Sequence, residues 1–201
     1  MPSKKKGSLE VICGPMFSGK SEELIRRLRR ATIAQQGVVV FKPSIDNRHS
    51  TEHIVSHNGS RISAFAVHDT SEIIEYGMRD DVHVIGFDET QFFDNSIVPM
   101  ICTLVESGKR VIVGGLDLDF RGAPFGSMPL LMAIANQVIK LQAICTICGN
   151  DANFTQRLVD GQAARHDDPI ILVGAQEAYQ ARCRQCYIID KYPSFHQATI
   201  L

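Results

Sequence analysis

Residues 9–21 read L-E-V-I-C-G-P-M-F-S-G-K-S: a short apolar run, then Gly14 and Gly19 flanking four residues, then Lys20 and Ser21. This spacing constrains the fold because it requires a strand before it and a helix after it. Gly14 and Gly19 permit backbone angles at which successive N–H groups converge on one anion. Pro15, Met16, Phe17 and Ser18 form the loop between them. A helix starting near Lys20 aims its positive end at the same point. Lys20 is then placed to reach the β- and γ-phosphates of a nucleotide, and the Ser21 hydroxyl to join the shell of a Mg²⁺ ion. Both flanking elements are predicted. Leu24, Ile25, Leu28 and Ala31 fall at helical spacing over 21–36, with Glu22 and Glu23 in the first turn and Arg26, Arg27, Arg29 and Arg30 later, which suits the helix dipole. Those arginines read as a solvated helix face.

A length of 201 residues with 44% apolar content suits one domain, or one with a small appendage. The net charge of −1 offers no electrostatic reason to expect nucleic acid or an anionic membrane. Lys4, Lys5 and Lys6 read as a frayed tail with no signal-length apolar segment behind it, and no run reaches membrane-spanning length. A soluble cytoplasmic chain is expected. In that setting six cysteines point to metal or thiol chemistry before disulfides.

Gly37 is expected to end the first helix, and 38–41 to be a strand buried on both faces. Residues 42–60 have no regular period and read as a mobile functional loop or a locally disordered stretch; Asp46, Arg48, Ser56 and His57 lie within it, each taken alone reading as an exposed solvated side chain. A strand is predicted at 61–67, a helix at 70–78, and a buried strand at 82–87 with His83 as a satisfied core imidazole. A helix follows at 95–107, capped by Asn95 or Ser96 and closed by Gly108. Next come a strand at 110–113, an irregular stretch at 114–129, a helix at 130–136 and a strand at 138–144. Phe120 and Phe125, in the irregular stretch, either plug the core or line a pocket. Alternating strands and helices predict a three-layer α/β fold with a parallel sheet.

Asp88 and Glu89 stand at the carboxyl end of a predicted strand, where ligands bind in open parallel sheets. Asp88 is assigned to the metal and Glu89 to the proton of an attacking hydroxyl or water. Further on, Cys145-x-x-Cys148 and Cys183-x-x-Cys186 offer four thiolates, a closed tetrahedral set for structural Zn²⁺. A redox dithiol would need one such pair alone. Cys13 and Cys102 are expected to be inert core residues. Between the knuckles, 154–159 and 170–173 read as strands joined by 160–169.

Four blocks stand together in order: G-P-M-F-S-G-K-S, F-D-E-T-Q-F-F, G-L-D-L-D-F-R-G-A-P-F-G and the paired C-x-x-C. With them the chain resembles the cytosolic, zinc-containing (type II) thymidine kinases from residue 9 to about 193. The resemblance implies a RecA-like P-loop domain over 1–142, a zinc and lasso-loop domain over 143–193 and a tail at 194–201. It also implies transfer of the ATP γ-phosphate to thymidine, with deoxyuridine a weaker substrate. A homotetramer inhibited by thymidine triphosphate is the implied assembly. Gly14 to Ser21 and Arg48 would serve the phosphates, Ser21 and Asp88 the Mg²⁺, and Glu89 would be the base. Met16, Gln91, Phe92, Leu116, Phe120, Phe125, Thr155, Ile170, Leu172 and Tyr179 would surround the nucleoside. Thr90 stands where the family often has Ala, read as a surface change without effect on the chemistry. His49 stands where an aromatic residue is common. A nucleic-acid machine lacks the basic, aromatic-interleaved stripe it would need, and a GTP-hydrolysing switch lacks an Asn-Lys-x-Asp segment.

Overall fold

A computed structural model of the chain describes residues 6–44, 53–55, 61–67, 70–170 and 177–191. As far as residue 140 the chain runs β1 (Ser8–Cys13), α1 (Lys20–Ile33), β2 (Val38–Pro43), a small antiparallel pair of β3 (His53–Val55) and β4 (Arg61–Ser63), and β5 (Phe65–Val67). It continues through α2 (Thr70–Gly77), β6 (Val84–Phe87), α3 (Ile97–Glu106), β7 (Arg110–Gly115), α4 (Met128–Ile134) and β8 (Gln137–Lys140). Six strands form one sheet in the order β5-β2-β6-β7-β1-β8, every pair parallel.

Successive strand residues point to opposite faces, so Val11 and Ile12 enter different cores. On one face, Leu24, Ile25 and Leu28 of α1 bury against Ile12, Val40, Val84 and Ile112. On the other, Ile73 of α2, Ile101 and Leu104 of α3 and Leu131 of α4 pack on Val11, Val39, Phe87 and Val113. Each such side chain contributes about 1.5–3 kcal/mol when fully buried. Covering both faces explains the continuous apolar strands and gives the expected three layers.

Beyond β8 come β9 (Ala143–Ile144), β10 (Asp151–Ala152), β11 (Phe154–Val159), β12 (Gln162–Ala163) and β13 (Glu177–Arg182). β9 pairs with β10, and β11 lies between β12 and β13, all antiparallel. The long partner of β11 is β13, an element not expected from the sequence; of the strand expected at 170–173 only residue 170 is described. Ile170 lies in a bend, and 171–173 fall outside the described residues.

Several local expectations are corrected by contacts from distant residues. The strand expected at 61–67 is two, because β4 pairs with β3 while β5 joins β2. The strand expected at 138–144 likewise divides into β8 on the main sheet and β9 on β10. Gly37 does not close α1, which ends at Ile33 with Ala34 as its C-cap and Gln35 at φ 57°. Its role is close approach: a Cβ there would sit 1.7 Å from the Asp81 carbonyl oxygen. His83 is exposed and outside the core, its Nδ1 accepting the Gly37 N–H at 3.1 Å. At the start of α3 the Ser96 side chain makes no capping bond, and the Asp94 carboxylate accepts the Ser96 N–H at 2.7 Å. Arg27 is not solvated: it is buried and paired with Glu10 at 2.5 Å and Glu23 at 2.8 Å. Cys13 is buried, whereas Cys102 is only half-buried.

Candidate functional site

The loop between β1 and α1 is held in conformations that its glycines permit. Gly14 has φ 137°, and a Cβ on it would meet the Leu141 carbonyl oxygen at 2.3 Å; Gly19, at φ 84°, is the N-cap of α1. Phe17 adopts φ 67°, which is costly for a residue with a side chain. The loop closes on itself through the Pro15 carbonyl, which accepts from Ser18 Oγ at 2.8 Å and from Lys20 Nζ at 2.7 Å. Burial lowers the Lys20 pKa, opposed by the negative charges of Glu89 and Asp88.

Across the sheet, β6 delivers Asp88 to the same place, and Ser21 Oγ donates to Asp88 Oδ2 at 3.4 Å. Burial first, and the neighbouring charge of Glu89 second, push the Asp88 carboxyl up to about 7. A buried carboxylate whose charge is disfavoured gains from a nearby cation. With the Ser21 hydroxyl in reach, this oxygen donor set fits Mg²⁺. Glu89 then leaves the strand in the left-handed region, φ 50° and ψ 39°, and opens the short 3₁₀ turn Thr90–Phe92. Thr90 is not a surface residue: it has 0% exposure and packs inside.

A cavity of about 390 Å³ opens beside this group, a size suited to a small-molecule ligand. Lys20, Ser21 and Glu89 line it together with Met16, Phe92, Leu116, Phe120, Phe125, Thr155, Ile170 and Tyr179. Phe120 and Phe125 both line the cavity, Phe120 while also buried. Phe92 and Phe125 meet edge to face at 5.3 Å, and Met16 N–H donates to Thr155 Oγ1 at 3.0 Å, tying the β1–α1 loop to β11. Gln91 is absent from the wall. It is 3% exposed, donates from Nε2 to Glu89 Oε2 at 2.6 Å, and accepts the Leu116 N–H at 2.9 Å. Arg48 and Leu172, with Asp46, His49, Ser56 and His57, lie outside the described residues.

Sequence reasoning passed over several wall and supporting residues. Leu118 and Asp119 also line the cavity. Asp119 folds its own loop by accepting the N–H groups of Arg121 and Ala123, at 2.9 and 3.0 Å. That turn was readable from an Asp placed before Arg and Gly. Arg157, inside β11, is fully buried with its guanidinium 5.0 Å from the centre of the Phe120 ring. It donates to the Pro169 carbonyl at 2.5 Å, just before Ile170. No local signal distinguishes it from a solvated arginine. Tyr187, beside the last cysteine, donates its hydroxyl to the Phe120 carbonyl at 2.6 Å.

The sulfur atoms of Cys145, Cys148, Cys183 and Cys186 all lie within 4.8 Å of one another. A four-sulfur tetrahedron with Zn–S bonds of about 2.3 Å has edges of roughly 3.8 Å, and Cys148 and Cys183 stand 3.6 Å apart. The cluster is therefore able to hold a metal ion, and its all-thiol chemistry suits zinc. Hydrogen bonds to Cys148 and Cys183 push the Cys186 thiol up to about 12.

Among the described residues, no helix is long and apolar enough to cross a membrane. In comparison with known protein families, the family described as thymidine kinase matches residues 7–187.

Proposed function

The chain belongs to the thymidine kinase family, and from that membership we propose that it transfers the γ-phosphate of ATP to the 5′-hydroxyl of thymidine in nucleotide salvage, with deoxyuridine as a weaker substrate. One observation carries the reading beyond the family. Lys20, Ser21 and Glu89, suited to phosphate, metal and proton, open into the same cavity as Met16, Thr155 and Phe120, suited to a methylated base.

The N–H groups of residues 14–21 and the N-terminus of α1 hold the phosphates. Lys20 exchanges the Pro15 carbonyl for a phosphate oxygen, and Arg48 approaches the same group. Ser21 and Asp88 would hold Mg²⁺, which when bound neutralises charge on the transferring phosphoryl group. Glu89 takes the proton of the 5′-hydroxyl as that oxygen attacks the γ-phosphorus, and the bond from the γ-phosphorus to the bridging oxygen breaks so that ADP leaves with its electron pair. Phe92, Phe120 and Phe125 exclude water, while Ile170, Leu172 and Tyr179 close over the base. Met16 and Thr155 face the 5-methyl group. Losing one methyl contact is worth only about 1–3 kcal/mol, so deoxyuridine is still turned over.

Zinc at the four cysteines is structural, because a closed sulfur shell leaves no position for substrate. The chain divides into a nucleotide unit, 1–142, and a zinc and lasso unit, 143–193; the division is supported by β9 to β13 pairing only among themselves among the described residues. Homotetrameric assembly, inhibition by thymidine triphosphate and a cytoplasmic location belong to the same proposal.

The test is ATP-dependent phosphorylation of thymidine, measured with and without deoxyuridine as competitor. Turnover of both, with thymidine preferred, is the expected result. No thymidine monophosphate would refute the kinase reading, and a lack of deoxyuridine turnover at saturation would refute the account of specificity.

A further inference from the structure

We propose that Gln91 is the positioning residue of Glu89, holding the proton-accepting carboxylate at the cavity edge; the inference rests on the kinase reading above. Glu89 needs such support. It is an exposed side chain on a left-handed backbone, two residues past the end of β6, so neither strand pairing nor packing fixes its carboxylate. Its side-chain hydrogen bond among the described residues comes from Gln91 Nε2, 2.6 Å from Oε2.

The amide orientation of Gln91 follows from its two partners. A carboxylate only accepts and a backbone N–H only donates. Gln91 must therefore present Nε2 to Glu89 and Oε1 to Leu116, the arrangement observed at 2.6 and 2.9 Å. The residue runs as a strut from the end of β7 to the carboxylate. A flipped amide would break both bonds at once.

The surrounding chain is shaped to this strut. A Cβ on Gly115 would meet Gln91 Oε1 at 2.8 Å, and one on Gly126, at φ 52°, would meet the Gln91 carbonyl oxygen at 2.3 Å. Two glycines from opposite ends of the 114–129 stretch thus let the backbone close around Gln91. Gln91 is 3% exposed and Leu116, its other partner, lines the cavity. Movement of the pocket wall is thereby passed to the base. Gln91 does not line the cavity, which separates this role from a nucleoside contact.

The experiment is a double-mutant cycle on the full chain, reading kcat and thymidine KM separately. Gln91→Met keeps the length and apolar stem but removes both amide groups. A hydrogen bond to a charged group is worth about 10- to 10²-fold. Gln91→Met is therefore expected to lower kcat by that factor with thymidine KM little changed. In a Glu89→Gln background, Gln91→Met is expected to cost nothing further, because the carboxylate it orients is gone. An undiminished loss in that background would overturn the proposal, since it would mark general structural damage. So would a loss confined to KM, the signature of a nucleoside contact. Gln91→Asn covers the event that Met does not fold: its amide still accepts from Leu116 but is one methylene too short to reach Glu89 as well. It is expected to reproduce the kcat loss, and wild-type turnover in it would overturn the strut. Absence of thymidine turnover in the unmodified protein would overturn both readings together; an active parent with an unaffected Gln91 variant would overturn this one alone.

Discussion

Replacing Tyr187 by Phe isolates one hydrogen bond that joins the cysteine cluster to the pocket wall. The ring of Tyr187 stacks on Phe154 with centroids 4.6 Å apart, and Phe preserves that contact. Only the hydroxyl is lost, and with it the 2.6 Å bond to the Phe120 carbonyl, a buried acceptor. Leaving a buried polar group without its partner costs about 1–3 kcal/mol. In a chain of this size each kcal/mol lowers the melting temperature by about 2–4 °C. Phe120 forms part of the cavity wall, so some of that cost passes to the ligand. If holding Phe120 in place takes about 1 kcal/mol more in the variant, thymidine affinity falls roughly fivefold. The assay pairs a thermal melt with thymidine KM and kcat at saturating ATP. The expected result is a lower midpoint and a raised KM at nearly constant kcat. A variant with the parent's midpoint and the parent's KM would refute the reasoning, because the hydroxyl would then support neither the fold nor the pocket.

Removing the Glu89 carboxylate through Glu89→Gln is expected to lower kcat by about 10²–10⁴-fold while ATP affinity is unchanged; full turnover would take Glu89 out of the chemistry. Cys145→Ser opens the four-sulfur cluster and is expected to lose bound zinc and weaken thymidine binding, since Tyr187 follows Cys186 directly; metal analysis and KM check this, and full affinity without metal would show the ion to be dispensable. Glu10 bears on stability against pH. Burial raises its pKa, but hydrogen bonds and charges from Arg110 and Arg27 outweigh that and leave it lowered. A lowered carboxylate stabilises the fold above its unfolded pKa, about 4.3, and the contribution disappears as pH falls through the folded value. Glu10→Gln is therefore expected to cost about 1–3 kcal/mol in denaturant melts at pH 7 and much less near pH 3. An equal cost at both would refute the ion-pair account.

How much of this was legible beforehand follows from the range of the interactions involved. Gly14, Gly19, Lys20 and Ser21 lie close together in the chain, so their spacing alone dictates the loop and helix that gather them. The four cysteines were legible for a similar reason, since ligand chemistry restricts which residues and spacings serve. The alternation of strands and helices, with strands apolar throughout, required a sheet covered on both faces. Asp88 and Glu89 were readable because they end such a strand.

Other features depend on what arrives from far along the chain. Thr90 reads as a surface residue and Gln91 as a neighbour of the nucleoside, yet both are buried in the closed fold, with Gly126 packed against the Gln91 carbonyl. Arg157 is buried by Phe120 and Pro169, and no neighbour in sequence announces it. Gly37 reads as a helix stop, yet its lack of a side chain is needed for Asp81. The partner of β11, a strand 177–182 that no local signal announced, is chosen by tertiary packing, while propensity only permits it. Sequence by itself determined which chemical groups are present and which local backbone shapes present them. Only the tertiary structure decided which groups share a cavity and which support them from below, because burial and hydrogen-bond partnership are properties of the closed fold.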